Sequence, residues 1–435
     1  MSVLSHTGRY LAGVEGVFRA GHWTRSQLQD YQAARLRALV RHASRKVPFY
    51  RRRLEAAGLD WRQVRGIEDL RRLPVVQRSE LRTATPDELL ADGADGAELV
   101  THLTSGTTGH PLAVRRTWVE ERLLNAFRLQ VLFGYGMRWR DLRTSLRLSG
   151  SIERSWWARL GLLRQHSLSV YDGWESLKAQ ILASKPEVLE GYAATTAAVA
   201  DLMTGDDRKG LGLKFVAAGA EAVTTERRRR ITDGFGARVY ECYGSVEFNL
   251  IAAECRQNGL MHICEGSVLV EVLRDGHPVQ AGEEGEAVIT ALHSYAMPLL
   301  RISLGDRVRA GPAPCPCGAP FGTLERVEGR EDPLFPLPDG RVLPAYLLRL
   351  PLVERWPWVR QYQLAQERLD LLRLKVVPVD GVTDVAERLQ DWLRFSREQC
   401  GYQVQIVIEQ VSEIPLGTGG KFQQLVSKVQ GEAKS

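Results

Sequence analysis

The chain has 435 residues, 25% of them charged and 44% hydrophobic, a balance that excludes a disordered polymer and a length that exceeds one ordinary domain. Its 58 basic residues exceed its 52 acidic ones by six, which suits an anionic ligand and does not demand nucleic acid. No apolar run approaches the roughly 18 residues a membrane-spanning helix needs. Arg9, Glu15 and Arg19 break the N-terminal stretch, making it a poor signal peptide, and six cysteines make no disulfide framework, so a cytoplasmic location is expected.

In chain order, the first predicted element is a helix from Gln27 to about Ala57. Its stripe of Leu36, Leu39, Val40 and Ala43 has helical spacing, and Pro48 should end or break it. Between Leu99 and Val114 a run of hydroxylated residues and glycines forms a tight turn between two extended segments, followed by a helix from Glu120 to Leu132. From Lys185 to Leu273 short apolar runs such as Lys214 to Ala218 and Arg238 to Cys242 alternate with helical stretches. That rhythm predicts a mostly parallel sheet with helices on its faces. After Gly266, Ser267 to Leu273 and Glu286 to Leu292 read as antiparallel strands joined by glycine-rich turns. The Asp, Pro and Gly-rich stretch from Gly329 to Gly340 reads as a hinge or linker. Beyond it come a strand near Leu371 to Val379, a helix from Val385 to Cys400 and a strand from Tyr402 to Val411. The expected fold is α/β: a large N-terminal domain, residues 1–329, of mixed and parallel sheets with flanking helices, plus a small α+β C-terminal cap, residues 333–435.

Five segments carry chemistry. Thr104-Ser105-Gly106-Thr107-Thr108-Gly109 combines glycines that let the backbone approach a ligand with hydroxyls that donate to phosphate oxygens. It lacks the lysine of a Walker loop, and a polar turn is the bland alternative. Glu241 to Glu247 ends a predicted strand, where ligands of open α/β sheets sit, and an acid there can bind Mg²⁺. Gly219-Ala220-Glu221 ends the preceding strand and lines the same crevice. Asp306, after Gly305 at a predicted strand end, can accept hydrogen bonds from ribose hydroxyls. Gly329 to Asp332 lies at the linker, and Lys421 sits on the glycine loop Gly417 to Gly420, from which a lysine can swing to a phosphate. An isolated lysine is otherwise a solvated surface group.

In this order the five segments resemble the adenylate-forming superfamily, and within it the phenylacetate-CoA ligase branch and its capsule-biosynthesis-type relatives. Lys46-Val47-Pro48-Phe49-Tyr50 and Leu73-Pro74-Val75-Val76 support that branch, and the resemblance runs from about Tyr31 to Lys421. It implies that Thr104 and Ser105 act in catalysis and that Ser105, Gly106, Thr107, Thr108 and Gly109 hold the phosphates of ATP. Gly219, Ala220 and Glu221 would flank the adenine, Tyr243 would stack on it, and Gly244 and Ser245 would line the same site. By the same resemblance Glu247 is the Mg²⁺ ligand, Asp306 the ribose ligand and Arg330 a ribose or phosphate contact. Asp332 is the hinge, and Lys421 the lysine that stabilises the adenylation transition state. The ribose motif departs from the usual Tyr-x-Thr-Gly-Asp, reading Ile302-Ser303-Leu304-Gly305-Asp306. Pro333 to Gly340 lacks the glycine pattern that many CoA ligases use when the cap rotates.

Cys255, His262, Cys315 and Cys317 offer three thiolates and an imidazole, the donor set of a structural tetrahedral Zn²⁺ site, although Cys315-x-Cys317 is tighter than the usual knuckle. Relatives in the branch carry zinc here, as the resemblance implies. Reduced cysteines in a turn are the alternative, and Cys264, opening a predicted strand, is the rival ligand or a packed residue. The acyl pocket is expected between the helix near Phe127, Gly134 to Gly136, Gly191 and Ala218, with Tyr135 and Tyr192 as pocket or core aromatics. Arg227 to Arg230 reads as a solvated helix face.

The activity implied is ATP-dependent activation of a small carboxylic acid, by default an aromatic, phenylacetate-like one or one of similar size, to an acyl-adenylate. Acyl transfer to CoA follows, with a carrier-protein thiol or an amine as alternative acceptors. A zinc-stabilised nucleotide-binding scaffold without turnover is the reading from another class. No nucleic acid or membrane partner is expected, and the sequence leaves the acid and the oligomeric state open.

Overall fold

The computed structural model describes residues 16–94, 96–104, 112–147, 151–152, 156–220, 223–328, 333–345, 347–349, 358–378, 381–382, 384–414 and 425–429. The chain divides into two compact units, residues 1–102 with 114–330, and residues 103–113 with 331–435.

In the first unit the long N-terminal helix is in fact two. Arg25–Lys46 starts from a Thr24–Gln27 capping box, and Pro48 occupies the first turn of Pro48–Ala56, where its missing N–H costs nothing. A fourteen-stranded sheet forms the centre of the unit. Gln165–Ser169, Arg143–Arg147, Val188–Tyr192, Phe215–Gly219 and Arg238–Ser245 lie side by side in that order, all parallel. Helices cover these strands, so Val188, Leu189, Phe215 and Val216 are buried together, as parallel strands require. The sheet then turns antiparallel through Asn249–Glu254, Met261–Ile263, Thr323–Glu328, Ile302–Ala310, Glu284–Ala291 and Val268–Arg274.

Close helix packing sets one constraint. Ala193–Ala200, built mostly of alanine, lies against Thr225–Phe235, and a Cβ on Gly234 would stand 2.3 Å from the Ala200 carbonyl oxygen. On the second of these helices only part of the arginine run is solvated. Arg228 instead bonds the Val239 carbonyl and pairs with Glu254 at 2.7 Å, tying helix to sheet.

Residues Ala291 to Leu300 form no regular element beyond the strand end at Ala291, yet every one is buried. Such a path requires partners for its backbone. Glu120 Oε1 accepts from the Tyr295 and Ala296 amides at 2.6 and 3.0 Å. The Leu300 amide donates to the Tyr50 hydroxyl at 3.0 Å, and a His42 ring nitrogen lies 2.9 Å from the Tyr295 carbonyl. Arg301, at φ 51°, closes the segment by pairing with Glu271 at 2.9 Å and bonding the Arg71 and Leu73 carbonyls.

In the second unit the strands Gln405–Gln410, Leu371–Pro378, Val359–Arg368 and Leu425–Ser427 form one sheet, the middle pair antiparallel and the outer pairings parallel. The predicted helix here is broken at Leu389 into Val385–Arg388 and Gln390–Cys400, and Trp392 is buried with its indole N–H on the Leu348 carbonyl at 2.8 Å. The stretch read as linker is folded beyond residue 333: Leu334–Pro336 and Val342–Pro344 pair as a hairpin.

Candidate active site

The carboxyl ends of Phe215–Gly219 and Arg238–Ser245 lie side by side, with Gly219 opposite Cys242. A Cβ at Gly219 would stand 2.3 Å from the Cys242 carbonyl, and one at Gly244 2.2 Å from the Asn249 carbonyl, so both positions require glycine. Ala220, at φ 62°, turns the chain out of the first strand. Tyr243 donates its hydroxyl to Asp306 Oδ2 at 2.9 Å, and burial followed by that carboxylate pushes the phenol pKa well up.

Asp306 was expected at a strand end. It lies instead inside Ile302–Ala310, where Gly305 has φ 74° and the pairing with Glu284–Ala291 slips between Glu286 and Val288. This bulge frees the backbone locally and lets the carboxylate meet Tyr243.

Glu247 is fully buried. Arg78 Nε donates to Oε1 at 2.7 Å, while Oε2 has no partner among the described residues, nor does the buried Ser245 hydroxyl. A buried carboxylate oxygen without a donor is costly unless a cation or ligand completes it, so the residues fit a divalent ion held through Oε2. Arg116 fixes the turn by donating to the carbonyls of Val246 and Glu247, the second at 2.8 Å. Glu121 in turn holds Arg116 at 3.2 Å and His102 at 3.1 Å. Burial raises the Glu121 pKa, but the hydrogen bond with His102 and the charge of Arg116 outweigh it and lower it. Sequence reasoning missed Arg78 and Arg116, since nothing local separates them from the other basic residues.

The two extended segments expected on either side of the hydroxyl–glycine loop are the strands Val100–Leu103 and Ala113–Arg116, which pair as a two-stranded sheet. Thr104 closes its base, its amide on the Leu112 carbonyl and its Oγ1 accepting from the Leu112 amide, both at 3.0 Å. Ser105, Gly106, Thr107, Thr108, Gly109, Glu221, Arg330, Asp332 and Lys421 lie outside the described residues.

The four zinc-type residues come together. One donor atom from each of Cys255, His262, Cys315 and Cys317 lies within 4.8 Å of the others. Cys255 follows Asn249–Glu254, His262 belongs to Met261–Ile263, and the two remaining cysteines occupy the turn before Thr323–Glu328. Cys317 Sγ and His262 Nε2 are 3.3 Å apart, near the roughly 3.5 Å expected of two ligands on one tetrahedral zinc. Amides of Gln257 and Ala319 and the Asn258 side chain point at the sulfurs, as second-sphere donors do. Burial lowers the His262 pKa, which favours the neutral ligand form. Cys264 opens no strand. It lies in the turn after Met261–Ile263 and packs against the cluster containing Tyr135, Tyr240 and Cys242.

No family model matches the chain. Across 92% of its length it is 30% identical to the phenylacetate-coenzyme A ligase of Thermus thermophilus, covering 97% of that protein. The chain belongs to the phenylacetate-CoA ligase family. It is 27% identical to the phenylacetate-coenzyme A ligase of Escherichia coli K12 over 80% of this chain and 82% of that one. Among solved structures, 2-hydroxyisobutyryl-CoA ligase in complex with 2-HIB-AMP and CoA matches in fold with a TM-score of 0.65 at 22% identity. That match covers 94% of this chain and 92% of the other.

Of the residues expected to line an acyl pocket in this phenylacetate-CoA ligase family member, Tyr135 is part of the core. The ring stacks on Tyr240 with centroids 3.9 Å apart, and its hydroxyl donates to the Glu254 carbonyl at 2.7 Å, so ring and hydroxyl are both taken up by packing. Ala218 is wholly buried, whereas Tyr192 is half-buried at its strand end. An unexpected charge cluster lies nearby: Arg128 Nη2 and Arg143 Nη1 hold the buried Glu190 at 2.7 and 3.0 Å. Burial opposes ionisation of Glu190, but the two guanidiniums outweigh it and bring its pKa down to about 2.

Proposed function

We propose that this protein activates a small carboxylic acid with ATP and then transfers the acyl group to CoA. The observation that carries the reading is the buried Glu247 with one oxygen unpartnered among the described residues, just beyond the carboxyl end of the parallel strand Arg238–Ser245, whose Tyr243 bonds Asp306, in a chain of this family.

In the first step an oxygen of the acid's carboxylate bonds to the α-phosphorus of ATP and the bond to pyrophosphate breaks. In the second the CoA sulfur bonds to the acyl carbon, its proton is lost and AMP leaves. Asp306 is suited to accept from ribose hydroxyls, with Tyr243 fixing its rotamer and offering a ring to the adenine. Glu247 would hold Mg²⁺, which when bound supplies positive charge to the phosphate oxygens. Arg78 and Arg116 keep that carboxylate in place. Residues 105–109 would cradle the phosphates and Lys421 would offset the charge that grows in adenylation, roles supported by their motifs. The cysteine–histidine cluster is read as a closed Zn²⁺ site that holds the large domain together and takes no part in the chemistry. Asp332 would be the hinge of the cap.

The test is acid-dependent ATP–pyrophosphate exchange over a panel of aryl, aliphatic and amino acids, followed by CoA added to the pre-formed adenylate. Exchange and a thioester are expected. Transfer only to amines or carrier-protein thiols would overturn the second half, and silence with ATP bound would overturn the whole. Lys421→Ala should collapse exchange while leaving the melting temperature unchanged.

A further inference from the structure

A bulge takes backbone groups out of the ladder, and those away from water then need other partners. Here Glu286 lies opposite Arg307 and Val288 opposite Ser303, so Leu304, Gly305 and Asp306 face Ala287 alone. The peptide joining Leu304 to Gly305 is planar and turns as one body. It is held at both edges. Arg78 Nη1 donates to the Leu304 carbonyl at 3.4 Å, and the Gly305 amide donates to Ser303 Oγ at 3.2 Å. Gly305, at φ 74°, then leads straight into Asp306.

Ser303 is 2% exposed, so its hydroxyl has protein groups rather than water as partners. A hydroxyl carries one proton and can accept as well. Ser303 gives its proton to Glu286 Oε1, which leaves a lone pair for the Gly305 amide. Glu286 and Ser303 thus act in series on the peptide that precedes Asp306. The opposite grip, Arg78, is shared with Glu247 Oε1 at 2.7 Å, so the bulge and that carboxylate are set against one guanidinium.

A carboxylate accepts from a ribose hydroxyl at full strength only when its oxygens are well aimed, because hydrogen bonds weaken steeply with angle. Tyr243 fixes the side-chain end of Asp306 through Oδ2, and the held peptide fixes its backbone end. Resting on the ribose role given to Asp306 above, we propose that Ser303, oriented by Glu286, is a positioning residue that sets this carboxylate for the ribose hydroxyls of ATP. Ser303 touches no nucleotide in this assignment. It acts only through the Leu304–Gly305 peptide.

The test measures Kd by calorimetry for ATP and for 2′,3′-dideoxy-ATP, which lacks both ribose hydroxyls, each with Mg²⁺. Binding is read without turnover, so its outcome is separate from that of pyrophosphate exchange. The unaltered protein should prefer ATP by roughly tenfold or more, the scale of one hydrogen bond to a charged acceptor. Ser303→Ala should cut that preference to roughly threefold or less by weakening ATP alone, since a misaimed carboxylate accepts poorly. Glu286→Ala, at a half-buried side chain, should do the same, whereas Glu286→Gln keeps an acceptor oxygen and should retain most of the preference. A preference unmoved in both alanine variants, or a loss shared equally by ATP and the analogue, overturns the positioning role and leaves the ligase reading standing. No preference in the unaltered protein overturns the ribose role of Asp306, and the proposal with it.

Discussion

Arg78 Nε stands 2.7 Å from Glu247 Oε1, and the other oxygen of that carboxylate is left buried without a partner. One side of the carboxylate is therefore anchored and the other available. Glu247→Gln keeps the shape but removes the negative charge that would hold the cation. Exchange should fall by roughly 100-fold or more, the usual scale for losing one charge-stabilising group, with a raised Mg²⁺ requirement and an unchanged melting temperature. Arg78→Ala should instead show both a lower melting temperature and a weaker Mg²⁺ dependence, because it frees Oε1 as well. An unaltered Mg²⁺ titration in Glu247→Gln would remove the residue from the metal site.

Zinc content gives a separate check. Protein purified without chelators should carry about one zinc per chain by its four ligands. Its removal should lower the melting temperature, since metal binding free energy is folding free energy in such sites. Cys317→Ser should reproduce the loss. Intact ligands with no metal would refute the site.

Gly234→Ala probes the contact between the helices Ala193–Ala200 and Thr225–Phe235. A methyl 2.3 Å from the Ala200 carbonyl oxygen has to push backbone aside. A loss of about 1–3 kcal/mol is expected in urea unfolding, the range for overpacking. Alanine favours helices over glycine by about 1 kcal/mol, so a stabilised variant would show that the contact yields freely.

His293 should give the first unit an acid-sensitive component. It stacks on Phe127 and shares the Tyr31 hydroxyl and Gly266 carbonyl, each 3.0 Å away. Burial, reinforced by Arg35, lowers its pKa from the ordinary 6.5 to about 4, although the Gly266 carbonyl pulls the other way. The unfolded chain therefore binds the proton first, and stability should drop as pH falls from 6.5 toward 4, by about 3 kcal/mol in all. His293→Gln should flatten that part of the pH profile even if it is less stable throughout.

Much of this architecture was legible because it is local or periodic. The β-then-α rhythm from Lys185 onward places Gly219 and Tyr243 on adjacent parallel strands, and Pro48 and the antiparallel pair after Gly266 can be read from short windows. What escaped depends on contacts distant in sequence. Arg78 and Glu247 are 169 positions apart. The bulge that moves Asp306 from a strand end to a strand interior depends on a register slip against another strand. Tyr135 reads equally well as pocket or core until Tyr240 is seen stacked on it. The row of Ser167, Ser145 and Glu190 is invisible to any one strand, since only cross-strand register assembles it.

The buried path from Ala291 to Leu300 has a consequence for how the protein opens. Irregular segments usually exchange their amide hydrogens with solvent quickly, since little has to break to expose them. Here the Tyr295 and Ala296 amides end on Glu120 and the Leu300 amide on Tyr50, all away from water. Those amides should exchange as slowly as the neighbouring strand Glu284–Ala291, and only when that part of the sheet opens. By deuterium uptake, the apparent loop would be indistinguishable from the core of the sheet.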